Sequence, residues 1–512
     1  MGGETDRCDA AGEAEITGRL LESIRAYEKS GRPFRFKVSG ICVWPLFRTV
    51  FSWRYLSQMR GESLAMPPHR AGKGAELISL LTGMPRQVSD LLAGRRYPCG
   101  CIFGKTVSTA RMGDPRGLDA FFDYTTDEMP GLILGQSVSQ PRTGSYPVVI
   151  DEYTGAWRAA AAPLVRSRAG ELERALAADL ADWFDGSDLE RDYGPAPPPR
   201  ERGIMARYMA DFHYYRGLLR IIRPRLVVLV CSYSLEMVPL IAAARTLGIQ
   251  AWELQHGVIN RLHFGYSYGE EALAHAPCLP LPDRILTFGP YFTEELASCG
   301  YWRPGRLVEL GFGRLDHYRR ATGTRGGPAR PGEIAIMFST QWTIEDEYLR
   351  FIRGFIETMP AGVRAVINPH PRFHARDLSR YRSMAGERVE VMDPGDSLYS
   401  RAGDIDIHCS AYSTTLFESA GLGIPTVVLG LGGWSNVKAL LDEGAASLAG
   451  TPEELAGLAR RCLEDPLFHA EWAGRTLDNG GRFFKRYDAA DAARVFEEAA
   501  TIPEGASGRV LV

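Results

Sequence analysis

The chain of 512 residues lacks a segment that could cross a membrane or direct secretion. Its longest apolar run, 226–244, is interrupted by Ser232, Glu236 and Pro239, which is typical of a strand followed by a helix. The segment 1–15 has neither the basic nor the apolar region of a signal peptide, and it lacks the hydroxyl residue of a myristoylation motif. These absences predict a cytoplasmic protein.

Cysteine pairs with metal-binding spacing are also missing. The nine cysteines are scattered, and Cys99 and Cys101 stand too close together for a zinc knuckle. Their odd number and irregular positions predict reduced thiols in a cytosolic protein. Basic charge is not in excess, because the net charge is -3, and this argues against a general nucleic-acid-binding protein.

Two common nucleotide-binding motifs are absent. No G-x-G-x-x-G follows a predicted strand, so a nicotinamide cofactor is not expected. The segment Gly100–Thr106 resembles a P-loop, but one residue too few separates Gly100 from Gly104. The sequence therefore predicts no bound cofactor.

What the chain does contain is an ordinary globular composition with regular strand–helix alternation. Hydrophobic residues make up 45% and charged residues 24%, and the length suits two domains. The alternation from residue 224 onward predicts an α/β fold with two doubly wound, Rossmann-like parallel sheets. The last helical pattern, 466–500, is expected to close the second sheet. The predicted organisation is a helical N-terminal region at 1–93, a first Rossmann-like domain at 94–316, a linker at 317–332, a second Rossmann-like domain at 333–485, and a C-terminal helix and tail at 486–512.

One predicted βαβ unit, 404–431, has the features of an anion site. A buried strand leads into a turn with the hydroxyl residues Ser413, Thr414 and Thr415, and Thr415 and Glu418 have the spacing of a capping box. Free amides and the helix dipole at such a helix start favour an anion, and hydroxyl groups suit phosphate oxygens. The alternative is an ordinary capped helix in a parallel sheet.

Polar residues follow five of the predicted strands. In open parallel sheets the carboxyl ends of the strands share one edge, where ligands bind. The segments are Ser232–Tyr233, Gln255–Gly257, Ser339–Gln341, Asn368–Arg372 and Ser410–Thr415. Five such strand ends in two sheets favour a functional edge over coincidence.

Two histidines at these strand ends are candidates for chemistry. His370 is held between two prolines, which restrict its backbone, and it could donate to a phosphate to which Arg372 supplies positive charge. His256 is a candidate for acid/base work, since an imidazole titrates near pH ~6.5, and Gly257 would leave room for a ligand. For both histidines the alternative is a structural role in a loop or at the sheet edge.

Acidic residues offer further alternatives. Asp404 and Asp406 form a D-x-D pair on one strand face, but they precede the strand and so lie at the wrong edge for a ligand. No metal site is therefore predicted. Other candidate carboxylates, which the sequence does not rank, are Glu236, Glu253, Asp123 and Asp127.

The N-terminal region contains an apolar helical pattern at 44–56. Trp44 and Arg48 within it could line a site. Core packing of the tryptophan and a surface salt bridge of the arginine is the favoured interpretation.

Together these motifs resemble the GT-B glycosyltransferases that build bacterial surface polysaccharides. The likeness is to capsule Kdo-transferases, CDP-glycerol glycerophosphotransferases and bacterial sialyltransferases, and it covers roughly residues 205 to 440. The acidic catalytic motif of the sialyltransferases has no match. The matching segments are His370–Pro371, Ser413–Thr415 with Glu418, Gly423–Pro425, and Gln255–Gly257 followed by His263 and Tyr266.

The resemblance implies a two-domain GT-B enzyme with its active site in the cleft between the domains. The first domain would bind the acceptor and the second a nucleotide donor, commonly a cytidine nucleotide, usually without a metal. Implied donor- and phosphate-binding residues are His370, Arg372, Ser413, Thr414, Thr415 and Glu418. On the acceptor side, the resemblance and the strand ends together point to His256 as the catalytic residue, with Gln255, Gly257, His263 and Tyr233 along the cleft.

We therefore expect a glycosyltransferase that moves a sugar, such as Kdo or a related CMP-activated sugar, or a polyol phosphate, to a surface polysaccharide or a lipid-linked acceptor. A lipid-linked acceptor would bring peripheral contact with the inner membrane, and no nucleic-acid partner is expected. The alternatives are a nucleotide-sugar epimerase of the same fold and a non-catalytic nucleotide-binding scaffold of polysaccharide assembly.

Overall fold

A computed structural model of the chain describes residues 10–59, 100–106, 118–129, 131–137, 148–152, 154–194, 203–323, 327–370, 378–393 and 396–498. The strands are β1 Lys37–Val38, β2 Ile41–Cys42, β3 Ile102–Lys105, β4 Leu132–Ser137, β5 Val148–Glu152, β6 Leu226–Val230, β7 Gln250–Leu254, β8 Arg284–Thr287, β9 Leu307–Glu309, β10 Ile334–Ser339, β11 Val363–Asn368, β12 Val389–Val391, β13 Ile407–Ser410, β14 Thr426–Leu429 and β15 Ser447–Ala449.

The α-helices surround these strands. They are α1 Ala10–Lys29, α2 Trp44–Met59, α3 Thr154–Phe184, α4 Asp188–Tyr193, α5 Ile204–Ile222, α6 Met237–Thr246, α7 Pro290–Ala297, α8 Gly313–Thr322, α9 Glu345–Thr358, α10 Ser379–Arg382, α11 Leu398–Arg401, α12 Thr415–Leu422, α13 Lys438–Asp442, α14 Pro452–Glu464, α15 Pro466–Gly480 and α16 Ala489–Glu498. Among the described residues, no helix is both long and apolar enough to span a bilayer.

The strands form two separate parallel sheets. The first has the order β5-β4-β3-β6-β7-β8-β9 and the second the order β12-β11-β10-β13-β14-β15. In both, the chain starts in the middle, runs to one edge, and returns to build the other side, which is the Rossmann arrangement. The predicted fold class, two Rossmann-like parallel sheets facing a cleft with a helical N-terminal addition, is confirmed.

Continuous burial explains why short apolar runs became the central strands. All residues of β6 and β10 are buried, as expected of parallel strands covered by helices on both faces. Strand β4 was not predicted, because Leu132–Ser137 is a short run with Gly135 in its interior.

A buried ion pair joins the two N-terminal helices, and its arginine also contacts the segment between β7 and β8. Arg48 Nε lies 2.9 Å from Glu28 Oε1, and both side chains are fully buried. The same carboxylate accepts a hydrogen bond of 2.7 Å from Trp44 Nε1, while Arg48 Nη2 donates to the Ser267 carbonyl at 2.6 Å. The predicted core role of Trp44 is confirmed. The predicted surface salt bridge of Arg48 is wrong, because its charge pairs inside the core, where loss of one partner is costly.

The C-terminal segment returns to the first sheet. The prediction of one helix over 466–500 is wrong, because α15 ends at Gly480 and α16 begins at Ala489. Helix α16 packs on the first half, where the Phe496 ring lies 6.3 Å from Trp252. The predicted linker at 317–332 also begins inside a helix, since α8 continues to Thr322. The domain boundaries themselves stay a prediction.

Candidate functional site

A cavity of about 270 Å³ lies between the two sheets and is lined by residues from both halves of the chain. Its polar side chains are His256, which follows β7, Arg314 in the first turn of α8, and Thr414 and Glu418 at the start of α12. Apolar rings form much of the remaining wall, and such walls strengthen electrostatic interactions inside. These rings are Phe121, Phe288, Phe292, Phe312, Phe417 and Phe484.

His256 is held by acidic and hydroxyl groups behind it. Its Nδ1 lies 3.6 Å from Glu253 Oε1, and its Nε2 lies 3.3 Å from the Tyr233 hydroxyl. Glu253 is fully buried, and its carboxylate also accepts hydrogen bonds from the Tyr266 hydroxyl and from the Ser232 amide at 3.2 Å. This arrangement orients the ring and leaves a fifth of the His256 side chain exposed.

The surroundings of His256 favour its protonated form. Burial lowers the pKa of His256, but the neighbouring Cys231 and the Glu253 carboxylate raise it more strongly, to about 10. Cys231 ends β6 with a φ of 59°, a left-handed conformation that is uncommon for a residue other than glycine. At neutral pH the cavity therefore faces an imidazolium, which can donate a proton or stabilise negative charge.

His263 and Tyr233 support His256 from behind the cavity wall. The His263 ring lies 4.7 Å from Tyr233 and 4.8 Å from Tyr266, and its Nδ1 accepts the Gly265 amide at 3.1 Å. Burial, and then the charge of His256, lower the pKa of His263 to about 3, so the ring is neutral. Neither His263 nor Tyr233 is among the residues that line this cavity, and their place along the cleft stays a prediction.

Gln255 and Gly257 on either side of His256 differ in position. Gln255 is buried, and its amide donates to the Gly257 carbonyl at 2.7 Å and accepts from the Phe288 amide at 2.7 Å. Backbone groups therefore occupy the Gln255 side chain, and its role along the cleft stays a prediction. Gly257 does line the cavity, and a Cβ atom there would meet nothing within 4 Å.

The hydroxyl turn sits at the start of α12 as predicted, but without the capping box. Thr415 is the first helical residue, the N-cap is Thr414, and no side chain caps the helix. Instead the Thr415 hydroxyl donates to Ser413 Oγ at 2.8 Å. Thr414 is exposed and lines the cavity, and Glu418 points to the cavity rather than back to the cap.

Glu418 belongs to a cluster with Arg314 and Tyr399. Burial raises the pKa of Glu418, and Arg314 and a hydrogen bond from Tyr399 partly offset this. The Arg314 guanidinium lies 4.0 Å from the centre of the Tyr399 ring. Arg314 was not predicted from the sequence. It follows the end of β9, as the other candidates follow their strands, but the search for polar residues after that strand stopped at Gly311. This arginine supplies a positive charge next to the hydroxyl turn.

His370 lies at the carboxyl end of β11, on the same edge of the second sheet. Its backbone amide donates to Thr340 Oγ1 at 3.1 Å, and it is not among the residues that line the cavity. Arg372 lies outside the described residues. Donor binding by these two residues stays a prediction.

The D-x-D pair has a structural role through its second member. The two Asp406 carboxylate oxygens accept the amides of Ala329 at 2.7 Å and Ala335 at 2.8 Å, which ties the chain to the start of β10. Among the described residues, no group of three or more potential ligands is placed to hold a metal ion.

His408 illustrates the structural alternative for a strand-end histidine. It is fully buried, with Ser339 Oγ at 2.8 Å from Nε2 and Ser419 Oγ at 2.9 Å from Nδ1. Burial lowers its pKa to about 3. The residue links β10 and β13 to α12 and so fixes the helix that carries Glu418.

Comparisons with known proteins find similarity to solved structures only. No protein-family model matches it, and no curated protein does. Among solved structures, the wall teichoic acid polymerase TagF is 9% identical with a TM-score of 0.44, covering 84% of this chain and 98% of the other. A putative UDP-N-acetylglucosamine 2-epimerase from Listeria monocytogenes is 11% identical with a TM-score of 0.48, covering 81% and 100%. The Neisseria meningitidis UDP-GlcNAc 2-epimerase bound to UDP-GlcNAc is 12% identical with a TM-score of 0.45, covering 78% and 99%.

Proposed function

We propose that the protein is a transferase that moves a sugar or a polyol phosphate from a nucleotide donor to a surface glycan or a lipid-linked acceptor. The observation that carries this proposal is the cavity between the sheets, where His256 of the first half meets Arg314, Thr414 and Glu418. Open α/β sheets bind ligands at this edge, and two facing sheets provide one subsite each for donor and acceptor.

The donor phosphate would lie against the start of α12. There the exposed Thr414 hydroxyl can donate to a phosphate oxygen, and the helix dipole favours the negative charge. Arg314 would supply a charge-assisted hydrogen bond. His370, which follows β11 on the same edge, would extend this subsite, and Arg372 is proposed to join it in holding a cytidine nucleotide.

Glu418 would bind a hydroxyl group of the donor. Its carboxyl group is half-buried beside Tyr399 and Arg314, which restricts its orientation. Such a fixed carboxyl group can accept a hydrogen bond from the donor ribose or sugar. This role accounts for a glutamate that does not cap its own helix.

His256 would act on the leaving group. With a pKa raised to about 10, its imidazolium keeps its proton at neutral pH, and its positive charge would stabilise the charge of the departing phosphate. The ring nitrogens face Glu253 and Tyr233, which hold the ring in place at the cavity wall. The proposal thus gives His256 an electrostatic role in place of the predicted acid/base work.

An epimerase is the second candidate, and the same cavity favours it. His256 and Glu418 are two titratable side chains lining one cavity from different halves of the chain, an arrangement that can remove and return protons on a bound nucleotide sugar. An epimerase needs no acceptor, so the presence of a second substrate separates the two functions.

Product analysis tests the proposal. Purified protein is incubated with CMP-, CDP- and UDP-activated sugars or polyols, with and without a glycolipid acceptor, and the products are identified by mass spectrometry. A transferase releases nucleotide and extends the acceptor, whereas an epimerase changes the donor without an acceptor. We expect acceptor extension, with His256→Gln and Arg314→Ala each lowering kcat by about 10²–10³.

Glu497→Gln serves as the matched control, because this glutamate is exposed on α16, away from the cavity. It should keep wild-type turnover. Conversion of the donor without an acceptor would show that the protein is an epimerase and not a transferase. Nucleotide binding without any turnover would favour the non-catalytic scaffold.

A further inference from the structure

Positive charge is concentrated on one pair of packed helices. The segments 154–169 and 204–225 together hold eight arginines and a single acidic residue, Asp211, although the whole chain has a net charge of -3. They belong largely to α3 and α5, which lie side by side on the first half. Trp157 Nε1 donates to the Ala210 carbonyl at 2.8 Å across this contact.

Most of these arginines have no counter-charge. Arg158 forms a two-point ion pair with buried Asp211 at 2.6 and 2.8 Å, and Arg207 lies 3.8 Å from the same aspartate. Within the ranges that the structure describes, the other arginines on the outer side form no ion pair. These five define the arginine face: Arg166, Arg168, Arg216, Arg220 and Arg223.

Like charges recur along one side of α5. Arg216 and Arg220 are four residues apart on one stripe of the helix surface, and Arg223 follows as the C-cap residue. Burial and then Arg220 lower the pKa of Arg216, and burial followed by Arg216 and Arg168 lowers the pKa of His213. The charges of α3 and α5 therefore act on each other, and this repulsion would be relieved by an anionic partner.

Large aliphatic side chains stand exposed among these arginines. Leu164 on α3 is 88% exposed and Ile221 on α5 is 57% exposed. A single exposed aliphatic residue is ordinary. Two of them on the helices that carry unpaired arginines are typical of surfaces that lie in the headgroup region of a membrane.

We propose that the arginine face, with Leu164 and Ile221, docks the protein on an anionic lipid bilayer. The arginines would contact lipid phosphates, and the aliphatic side chains would enter the boundary between headgroups and acyl chains. A soluble polyanion could use the charges but would gain nothing from the aliphatic side chains. The docking is independent of the proposed transfer reaction and is measured without turnover.

Vesicle co-sedimentation tests the docking. The full chain is mixed with vesicles of phosphatidylcholine alone or with phosphatidylglycerol added, at low and high salt. We expect binding only to the anionic vesicles, weakened by salt. Arg168→Glu/Arg220→Glu should lower the vesicle affinity at least about tenfold, since each basic residue near an anionic surface contributes about fivefold.

A matched variant controls for net charge. Arg353→Glu/Arg460→Glu changes two exposed arginines on α9 and α14 of the second half by the same total charge, and it should bind like the wild type. Thermal unfolding of each variant verifies that it is folded. An equal loss in both double variants would overturn the proposal, as would equal binding to both kinds of vesicle.

The aliphatic residues have their own test. Leu164→Asp/Ile221→Asp should lower vesicle binding severalfold, whereas Leu467→Asp, at a leucine 74% exposed on α15, should leave it unchanged. If the first variant binds the anionic vesicles as tightly as the wild type does, the surface is a polyanion-binding surface and bilayer docking is wrong.

Discussion

A buried carboxylate is one of two groups that raise the pKa of the residue we place at the centre of the chemistry. Glu253 is buried and lies 3.6 Å from the His256 ring, and the other group is Cys231. An opposite charge at such a distance shifts a pKa by about 1–3. Glu253→Gln should therefore lower the pKa of His256 by about 1–3 from its value of about 10. Histidine NMR titration measures it, with Glu309→Gln, at the end of β9, as the control.

The same shift predicts a pH dependence of stability. Because the folded-state pKa of His256 is raised from 6.5 to about 10, its contribution to stability is complete below pH 6.5 and is lost as the pH rises to about 10. The difference in free energy of unfolding between the wild type and His256→Gln should shrink over that range. Urea unfolding at several pH values measures the difference, and a constant difference would contradict the assigned charge.

Gly257 offers a substitution that separates binding from folding. A Cβ atom at this position meets nothing within 4 Å and projects from a residue that lines the cavity. Gly257→Ala should therefore leave the free energy of unfolding within about 1 kcal/mol of the wild type. It should weaken nucleotide or acceptor binding about tenfold by occupying ligand space. Gly457→Ala, in an open position on α14, is the control for calorimetric binding and unfolding.

Helix α12 depends on the buried hydroxyl chain that runs through His408. Replacing His408 by alanine leaves Ser339 and Ser419 without their partner and opens a cavity. We expect a loss of about 3 kcal/mol in the free energy of unfolding. His213→Ala on the exposed side of α5 should change it by less than about 0.5 kcal/mol. Chemical denaturation compares the two variants. Equal losses in the free energy of unfolding would show that His408 does not hold α12 in place.

Local sequence predicted the elements better than the direction of their side chains. The strand, hydroxyl turn and helix around Ser413 were predicted because apolar runs and glycine stops are local signals. The capping box was wrong, because Glu418 satisfies a tertiary contact with Arg314 and Tyr399 rather than a local one. The spacing of residues along one segment does not show which side chains from other segments will contact them.

At the scale of the whole molecule, the return of the C-terminal segment joins the two halves. Gly311, with a φ of 87°, approaches this segment so closely that a Cβ atom would lie 2.7 Å from the Lys485 carbonyl. Gly305 has a φ of 86° but open space around it. Gly311→Ala should cost about 2–4 kcal/mol and Gly305→Ala about 1 kcal/mol, measured by thermal unfolding. Equal losses in the free energy of unfolding would show that the close approach of Gly311 to the C-terminal segment does not contribute to stability.

The sequence could not reveal which strand ends meet across the cleft. His256 was found as a strand-end residue and Glu418 through the spacing of a capping box, yet their shared cavity depends on how the two halves of the chain pack together. Gln255 and His263 share the same local motif as His256, but burial turns them into supports. Long-range packing therefore separates one motif into a residue that lines the cavity and residues that support it.

The central claim is that one cavity binds a nucleotide donor between the two sheets, and thermal-shift measurement with CMP, CDP, UDP, GDP and ADP tests it most directly. A ligand that binds only the folded state raises the Tm. We predict the largest rise with a cytidine nucleotide, unchanged by EDTA, lost in Arg314→Ala and Glu418→Gln, and kept in Glu497→Gln. A wild-type Tm that no nucleotide raises, or a rise that persists in both cavity variants, would contradict the account.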